Sequence, residues 1–317
     1  MTITRREAVL GPLAAFILLS ATGCTKMNMP TGTIEKKYFA AGPWTVTYKP
    51  SGECCDSNNN AFDLYYPTNL GAGGFKHPII TWANGTNTLP VQYDYFLRHL
   101  ASWGFFVVAT RDLNTGTGTT VLEAAAHMVM LSNQATGTYA GKLDVHHIGA
   151  AGHSQGATGS INAMKNSTGT IQTVIPIELP SQMWCSSSAN CVDTSTLGAG
   201  SIFFVDGSAD FISPPLQPPG VPKEQSIAAY YSAVPAPLVK AKGTLVGPNH
   251  ADILGQPDCS AVLIGCTYGV YGYLGYPTAW LMYQLQGDAY AHQAFVKPAG
   301  EMFFQLENWI FVESNVQ

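Results

Sequence analysis

The 317-residue sequence predicts an α/β fold, with a mostly parallel central sheet, helices on both faces and no large cap domain. Three observations carry that expectation. From Pro78 to Val246, short apolar runs alternate with stretches of helical period, as strands joined by covering helices do. The runs are apolar residue after residue, the pattern of strands buried on both faces. The third observation is Gly152-His153-Ser154-Gln155-Gly156, preceded by the run His147 to Ala151 and followed by the helix-compatible Ala157 to Met164. It reads as strand, sharp turn, helix, with a glycine on either side where strand and helix approach closely.

Taken in order, the chain opens on an address. Thr4-Arg5-Arg6-Glu7-Ala8 resembles a twin-arginine export signal, and an apolar run from Gly11 to Leu19, interrupted by Pro12, is too short to span a bilayer. Ser20-Ala21-Thr22-Gly23-Cys24 then looks like a lipoprotein cleavage box, which makes Cys24 a candidate lipid anchor. Ordinary cleavage nearby, with release of a soluble protein, is the alternative, because Ala21 stands where such boxes usually carry leucine. Residues 1–23 are thus expected to be an export signal, 24–37 a linker and 38–317 one domain, acting as a monomer in the periplasm or outside the cell.

Net charge is −5 with only 11% charged residues, which argues against a nucleic-acid partner. Six cysteines follow Cys24, an even number that fits disulfides in an exported chain. Cys185 with Cys191 and Cys259 with Cys266 are local pairs, each worth about 2–2.5 kcal/mol by loop closure. Cys54 and Cys55 pair either with each other or with distant cysteines. No Cys-x-x-Cys spacing points to zinc.

Tyr38 to Tyr48 and Phe62 to Pro67 read as edge strands flanking the polar loop Ser51 to Asn60. Strand Pro78 to Ala83, helix Tyr93 to Trp103, strand Phe105 to Thr110, helix Val121 to Asn133 and strand Asp144 to Ala151 lead into the serine turn. Beyond it come strands Thr173 to Glu178 and Ser201 to Val205, helix Glu224 to Ala233 and strand Ala241 to Val246. Only about two dozen residues separate Glu178 from Ser201, where lidded hydrolases carry a cap, so the site is expected to be open. The tail adds a Tyr/Gly-rich stretch, Tyr268 to Tyr276, expected to close the fold or border the cleft, then an amphipathic helix from Pro277.

A serine hydroxyl needs a base to take its proton and an acid to orient that base. In a parallel sheet these belong in loops at the carboxyl ends of later strands. Asp210 follows one such strand and His250 the next, giving the order serine, acid, histidine of an α/β-hydrolase. Asp210 is preferred to Asp206, which lies within or at the strand end. His250 is preferred to His292, read as solvated on a surface helix, and to His153, read as a packed turn residue. His146 and His147 point to opposite faces of a strand, which excludes a shared metal.

Tyr65-Tyr66-Pro67-Thr68-Asn69, Leu100 to Val108, Tyr139 to Asp144, the serine turn and Ala209-Asp210-Phe211-Ile212-Ser213-Pro214 occur in one order. Together they resemble the bacterial polyester hydrolases of the cutinase and PET-hydrolase type. The resemblance implies Ser154 as nucleophile, Asp210 as acid, His250 as base, and an oxyanion hole from the amides of Gln155 and Thr86, with Asn84, Gly85 and Trp184 as candidate substrate contacts. It implies carboxylic-ester, including polyester, substrates and neither metal nor organic cofactor. Thr86, Gln155 and Ala157 depart from the family's usual aromatic, methionine and glycine, so no aromatic clamp is implied at Thr86. Trp184 is either a wall of the cleft or loop packing. A short-chain lipase or acyltransferase with the same triad, and a surface lipoprotein that binds apolar ligands without catalysis, remain the alternatives.

Overall fold

The computed structural model describes residues 26–185, 191–221, 224–262 and 264–317. Its centre is a 9-stranded sheet in the order β1-β2-β4-β3-β5-β6-β7-β8-β9. The strands are β1 (Val46–Glu53), β2 (Phe62–Pro67), β3 (His77–Ala83), β4 (Phe106–Thr110), β5 (Leu143–His153), β6 (Ile171–Ile177), β7 (Ser201–Gly207), β8 (Val239–Leu245) and β9 (Trp309–Ser314). Strands β3 to β8 run parallel, and β1, β2 and β9 pair antiparallel at the edges.

Both faces are covered, as the apolar runs require. Alternate residues of one strand enter different cores: Ile80 and Trp82 of β3 pack on one side, Ile79 and Ala83 on the other. The first core holds α1 (Thr33–Phe39), α2 (Asp94–Ser102) and α6 (Gly275–Gln286), and the second holds α3 (Thr119–Ser132), α4 (Gln155–Asn166) and α5 (Ile227–Ala233). The 178–200 segment forms only single-turn helices at Gln182–Trp184 and Thr194–Thr196 among its described residues.

The N-terminal part differs from expectation. Residues 33–37, read as linker, and Tyr38, read as strand, belong to α1, and β1 starts at Val46 and runs through Ser51 to Glu53. Ile34 and Tyr38, four residues apart, bury one face of α1 against the core. Its first turn is capped from across the chain: Glu301 accepts the N–H groups of Ile34 and Glu35 at 2.9 Å and the Thr33 hydroxyl at 2.8 Å. A cap 266 residues away leaves no local signal. The export signal and Cys24 lie outside the described residues.

At the other end, α6 is not amphipathic: residues Gly275 to Met282 are all buried, and Trp280 donates to Thr173 Oγ1 at 2.8 Å. The sequence reading contained no counterpart of β9, whose interior strand residues are half-buried or exposed as an edge position allows.

Glu301 supplies a test of this clasp between chain ends. Burial opposes its charge, but the amides of Ile34 and Glu35 and the hydroxyls of Thr33 and Tyr276 hold its carboxyl below the usual range. A carboxyl whose folded-state value is depressed stabilises above its unfolded value and stops doing so as pH falls through the folded one. Glu301→Gln is therefore expected to lower stability by about 1–2 kcal/mol at neutral pH. Thermal denaturation should show that deficit shrinking as pH falls through the carboxylate range. A pH-independent deficit would contradict the assignment.

Candidate active site

Strand β5 delivers Ser154 on a strained turn, φ 57° and ψ −125°, immediately before α4. The turn fits only because its neighbours lack side chains: a Cβ on Gly152 would collide with the Gly156 carbonyl, and one on Gly156 with the Ala83 carbonyl. The Ser154 amide donates to the Ile177 carbonyl of β6 at 3.1 Å, fixing the turn against its neighbour strand.

His250 lies in the loop after β8 and Asp210 in the loop after β7. His250 Nε2 is 2.8 Å from Ser154 Oγ, and its Nδ1 is 2.7 Å from Asp210 Oδ2. A carboxylate accepts, so the imidazole proton sits on Nδ1 and Nε2 is free to accept from the serine hydroxyl. Asp210 Oδ1 accepts the amides of Ile212 at 2.8 Å and Ser213 at 3.2 Å, which fixes the carboxylate plane. Asp206 is elsewhere: it is inside β7, fully buried, accepting from Thr244 Oγ1 at 2.8 Å, and burial pushes its carboxyl well up.

Thr86, Ser154 and Gln155 line a cleft of about 220 Å³ with Thr158, Pro180, Trp184, Cys185 and Ile212. Gln155 is the first residue of α4, where helix amides lack intrahelical acceptors and the positive dipole end lies. Trp184 is half exposed on the cleft wall, and its ring meets the exposed Phe211 edge-on at 6.2 Å between centroids. Phe211 and Ile212 were not read as site residues, although their position directly after Asp210 was the available signal.

Two expected substrate contacts are not in the cleft. Asn84 is fully buried, donating to the Thr110 carbonyl at 2.6 Å, and so fixes the loop that carries Thr86. Gly85 is buried as well, its amide donating to Tyr93 Oη at 3.0 Å. Both build the wall from behind.

Behind the serine lies a polar layer. His153 Nε2 donates to the His250 carbonyl at 2.9 Å, so its Nδ1 accepts from the Tyr93 hydroxyl, also at 2.9 Å. Burial, then the neighbouring His250, drives the His153 imidazole to its neutral form. Glu178, at the end of β6 with φ 51°, places Oε2 at 3.2 Å from His153 Nε2 and 3.7 Å from His250 Nδ1, while Oε1 accepts from Tyr273. The Tyr/Gly-rich stretch thus backs this layer through Tyr273. The two ring nitrogens nearest Glu178, His153 Nε2 and His250 Nδ1, share their protons with the His250 carbonyl and Asp210, so the layer is a hydrogen-bond network.

Asp252 anchors the histidine loop: it accepts the amides of Asn249 and Thr267 at 2.7 Å and of Gly269 at 2.8 Å. That ties His250 to the loop closed by Cys259–Cys266. Cys185–Cys191 closes the loop beside Trp184, and Cys54 pairs with Cys55. Of the other histidines weighed from the sequence, His146 and His147 are exposed on β5, and His292 Nε2 bonds the Gln317 carbonyl at 3.0 Å.

The loops after β3, β5, β6 and β7 thus line one cleft, and the loop after β8 brings His250 to Ser154. A family model described as PET hydrolase-like (PETase) matches residues 28–222, more than half of the chain and including Thr86, Ser154 and Asp210. No curated protein matches the sequence. By that match, and by the sheet that carries it, the chain belongs to the PET hydrolase-like family of α/β-hydrolases.

Proposed function

We propose that the protein is a serine esterase that hydrolyses carboxylic esters in two steps through an acyl-enzyme. The observation that carries this is the continuous line Ser154 Oγ, His250 Nε2, His250 Nδ1, Asp210 Oδ2, with contacts of 2.8 and 2.7 Å. Family membership supports the ester as the bond cleaved.

In the first step His250 Nε2 takes the Ser154 proton as Oγ adds to the ester carbonyl. Asp210 holds the imidazolium that forms. The negative charge on the carbonyl oxygen is held by the backbone amides of Gln155, at the helix start, and of Thr86, two residues that line the cleft. The tetrahedral adduct collapses as His250 returns its proton to the departing alcohol oxygen. Water then repeats the sequence on the acyl group, giving the acid and freeing Ser154. None of these steps calls on a metal or an organic cofactor.

Trp184 in the cleft lining and Phe211 packed against it, 52% and 75% exposed, form an apolar rim. Such a rim favours an ester embedded in bulky apolar surroundings, including a polymer surface, because the chain on either side of the scissile bond need not enter a closed pocket. Three disulfides fit an oxidising, exported setting. Lipid attachment at Cys24 belongs to the same proposal and is tested by mass spectrometry of the mature N-terminus. No described helix is long and apolar enough to cross a membrane.

Ser154→Ala is expected to lower p-nitrophenyl ester turnover by about 10⁶-fold with an unchanged circular dichroism spectrum. A fluorophosphonate probe should label the native protein and not this variant. Retained turnover would refute Ser154 as the nucleophile, and a native protein that neither labels nor turns over the ester would leave the ligand-binding reading. Trp184→Ala is expected to raise KM for apolar esters by about 5–10-fold, equivalent to about 1–1.4 kcal/mol of lost contact, and to leave kcat for a short acetyl ester nearly unchanged. If KM does not move, Trp184 is loop packing alone.

A further inference from the structure

A second carboxyl stands beside His250 that the mechanism above does not use. Glu178 Oε2 lies 3.7 Å from His250 Nδ1, the nitrogen that Asp210 holds at 2.7 Å. The two acids come from different strand ends, β6 and β7, and face the same edge of one imidazole. Oε2 of Glu178 is fully buried, and none of its contacts meets hydrogen-bond geometry. A movement of about 1 Å by either side chain brings it to hydrogen-bond length.

We infer that Glu178 is a second acid of the triad, a positioning residue that takes over His250 Nδ1 when Asp210 no longer holds it. The inference rests on the Ser154–His250–Asp210 reading and adds a specific member to it. A residue serving only to fill space at this point would have no need of a carboxyl. Burying one beside three other carboxyls is costly unless its oxygens have work to do.

The surroundings explain why Asp210 holds the ring first. Asp210 has two backbone amides on its other oxygen, whereas Glu178 has one hydroxyl, that of Tyr273. The groups facing Glu178 are Tyr273 from the turn before α6, His153 from β5, His250 and Asp252 from the loop after β8, and Asp206 and Asp210 from β7 and its loop. Tyr93 faces the far side of His153. Burial first, then the charge of Asp210, pushes the Glu178 carboxyl well above the usual range, with Asp252 and Asp206 adding to the push and the Tyr273 hydroxyl opposing it. Glu178 therefore keeps its proton while Asp210 is charged. Removing the Asp210 charge takes away the largest neighbouring repulsion and frees Glu178 to ionise against His250 as a coupled pair.

The test is a double-mutant cycle on the full mature chain with a p-nitrophenyl ester. Losing the orienting acid of such a triad outright costs about 10⁴-fold in kcat. Asp210→Asn is expected to cost only about 10²-fold, Glu178→Gln less than about tenfold, and the double variant about 10⁴-fold, a loss greater than the two singles combined. The pH profile separates orientation from mere packing. An imidazolium without a neighbouring carboxylate holds its proton less tightly, so the acidic limb of kcat moves to lower pH. With Glu178 taking over, the limb of Asp210→Asn stays where it is in the native enzyme or moves to higher pH, and drops only in the double variant. Should the double variant fail to fold, the limb of Asp210→Asn alone decides, and a downward move overturns the inference. Equal loss in Asp210→Asn and the double variant overturns it too, while the native enzyme and its Ser154 dependence stand. A native enzyme without Ser154-dependent turnover overturns both.

Discussion

The strained turn at Ser154 is the constraint on which the rest depends. A non-glycine residue at φ 57° and ψ −125° costs about 1–3 kcal/mol and survives only where its surroundings fix it. They do so by contact. Gly152 and Gly156 allow β5, α4 and the end of β3 to approach until no side chain would fit, and the Ile177 carbonyl takes the Ser154 amide. That packing sets the serine oxygen, the start of α4 and the Thr86 loop relative to one another. The strain is offset by the two cores on either side of the sheet, so the site inherits its rigidity from β3, β5 and β6.

The other functional groups come from loops, and each loop is tied down by a polar contact of its own. Asn84 fixes the Thr86 loop to the end of β4 through the Thr110 carbonyl. The Asp210 loop is closed by its own side chain on the Ile212 and Ser213 amides. Asp252 fixes the His250 loop by drawing in amides from 267–269. The same device recurs at a distance from the chemistry, where Glu301 clasps α1 to the C-terminal region. Asn84 does so by donating to a carbonyl, whereas Asp210, Asp252 and Glu301 each accept backbone amides that would otherwise be left without partners, a strong restraint because the penalty for an unpaired buried group is large.

What could be read from the sequence follows the range of the interactions. The parallel core was legible because burial on both faces writes itself into consecutive residues, as in Ile79-Ile80-Thr81-Trp82 and Phe106-Val107-Val108. Ser154 and its glycines were legible because the steric demand is local. Asp210 and His250 were legible because parallel strands deliver their loops to one end. Helix α1 was not, because its cap and its buried face are supplied by Glu301 and α6, far along the chain. Strand β9 exists through pairing with β8 and carries little alternation of its own. Asn84 and Gly85 stand next to Thr86 in sequence, yet the direction of the turn sends their polar groups inward. Glu178 carried the signal of a charged residue ending an apolar strand, but its meaning depends on His153, Tyr273 and His250 meeting it from three other segments.

Four acidic side chains, Glu178, Asp206, Asp210 and Asp252, are buried in the region of the His250 imidazole, and the structure treats them unequally. Asp210 and Asp252 each receive several backbone amides. Glu178 and Asp206 each receive one hydroxyl, and burial presses both toward the protonated form. Protonation of Glu178 and Asp206 avoids like-charge repulsion at short range. The proposed second acid fits that division, because burial and the Asp210 charge push the Glu178 carboxyl toward its protonated form. In that proposal the triad is set by the competition between two acids for one ring, and the geometry of β6 and β7 favours Asp210.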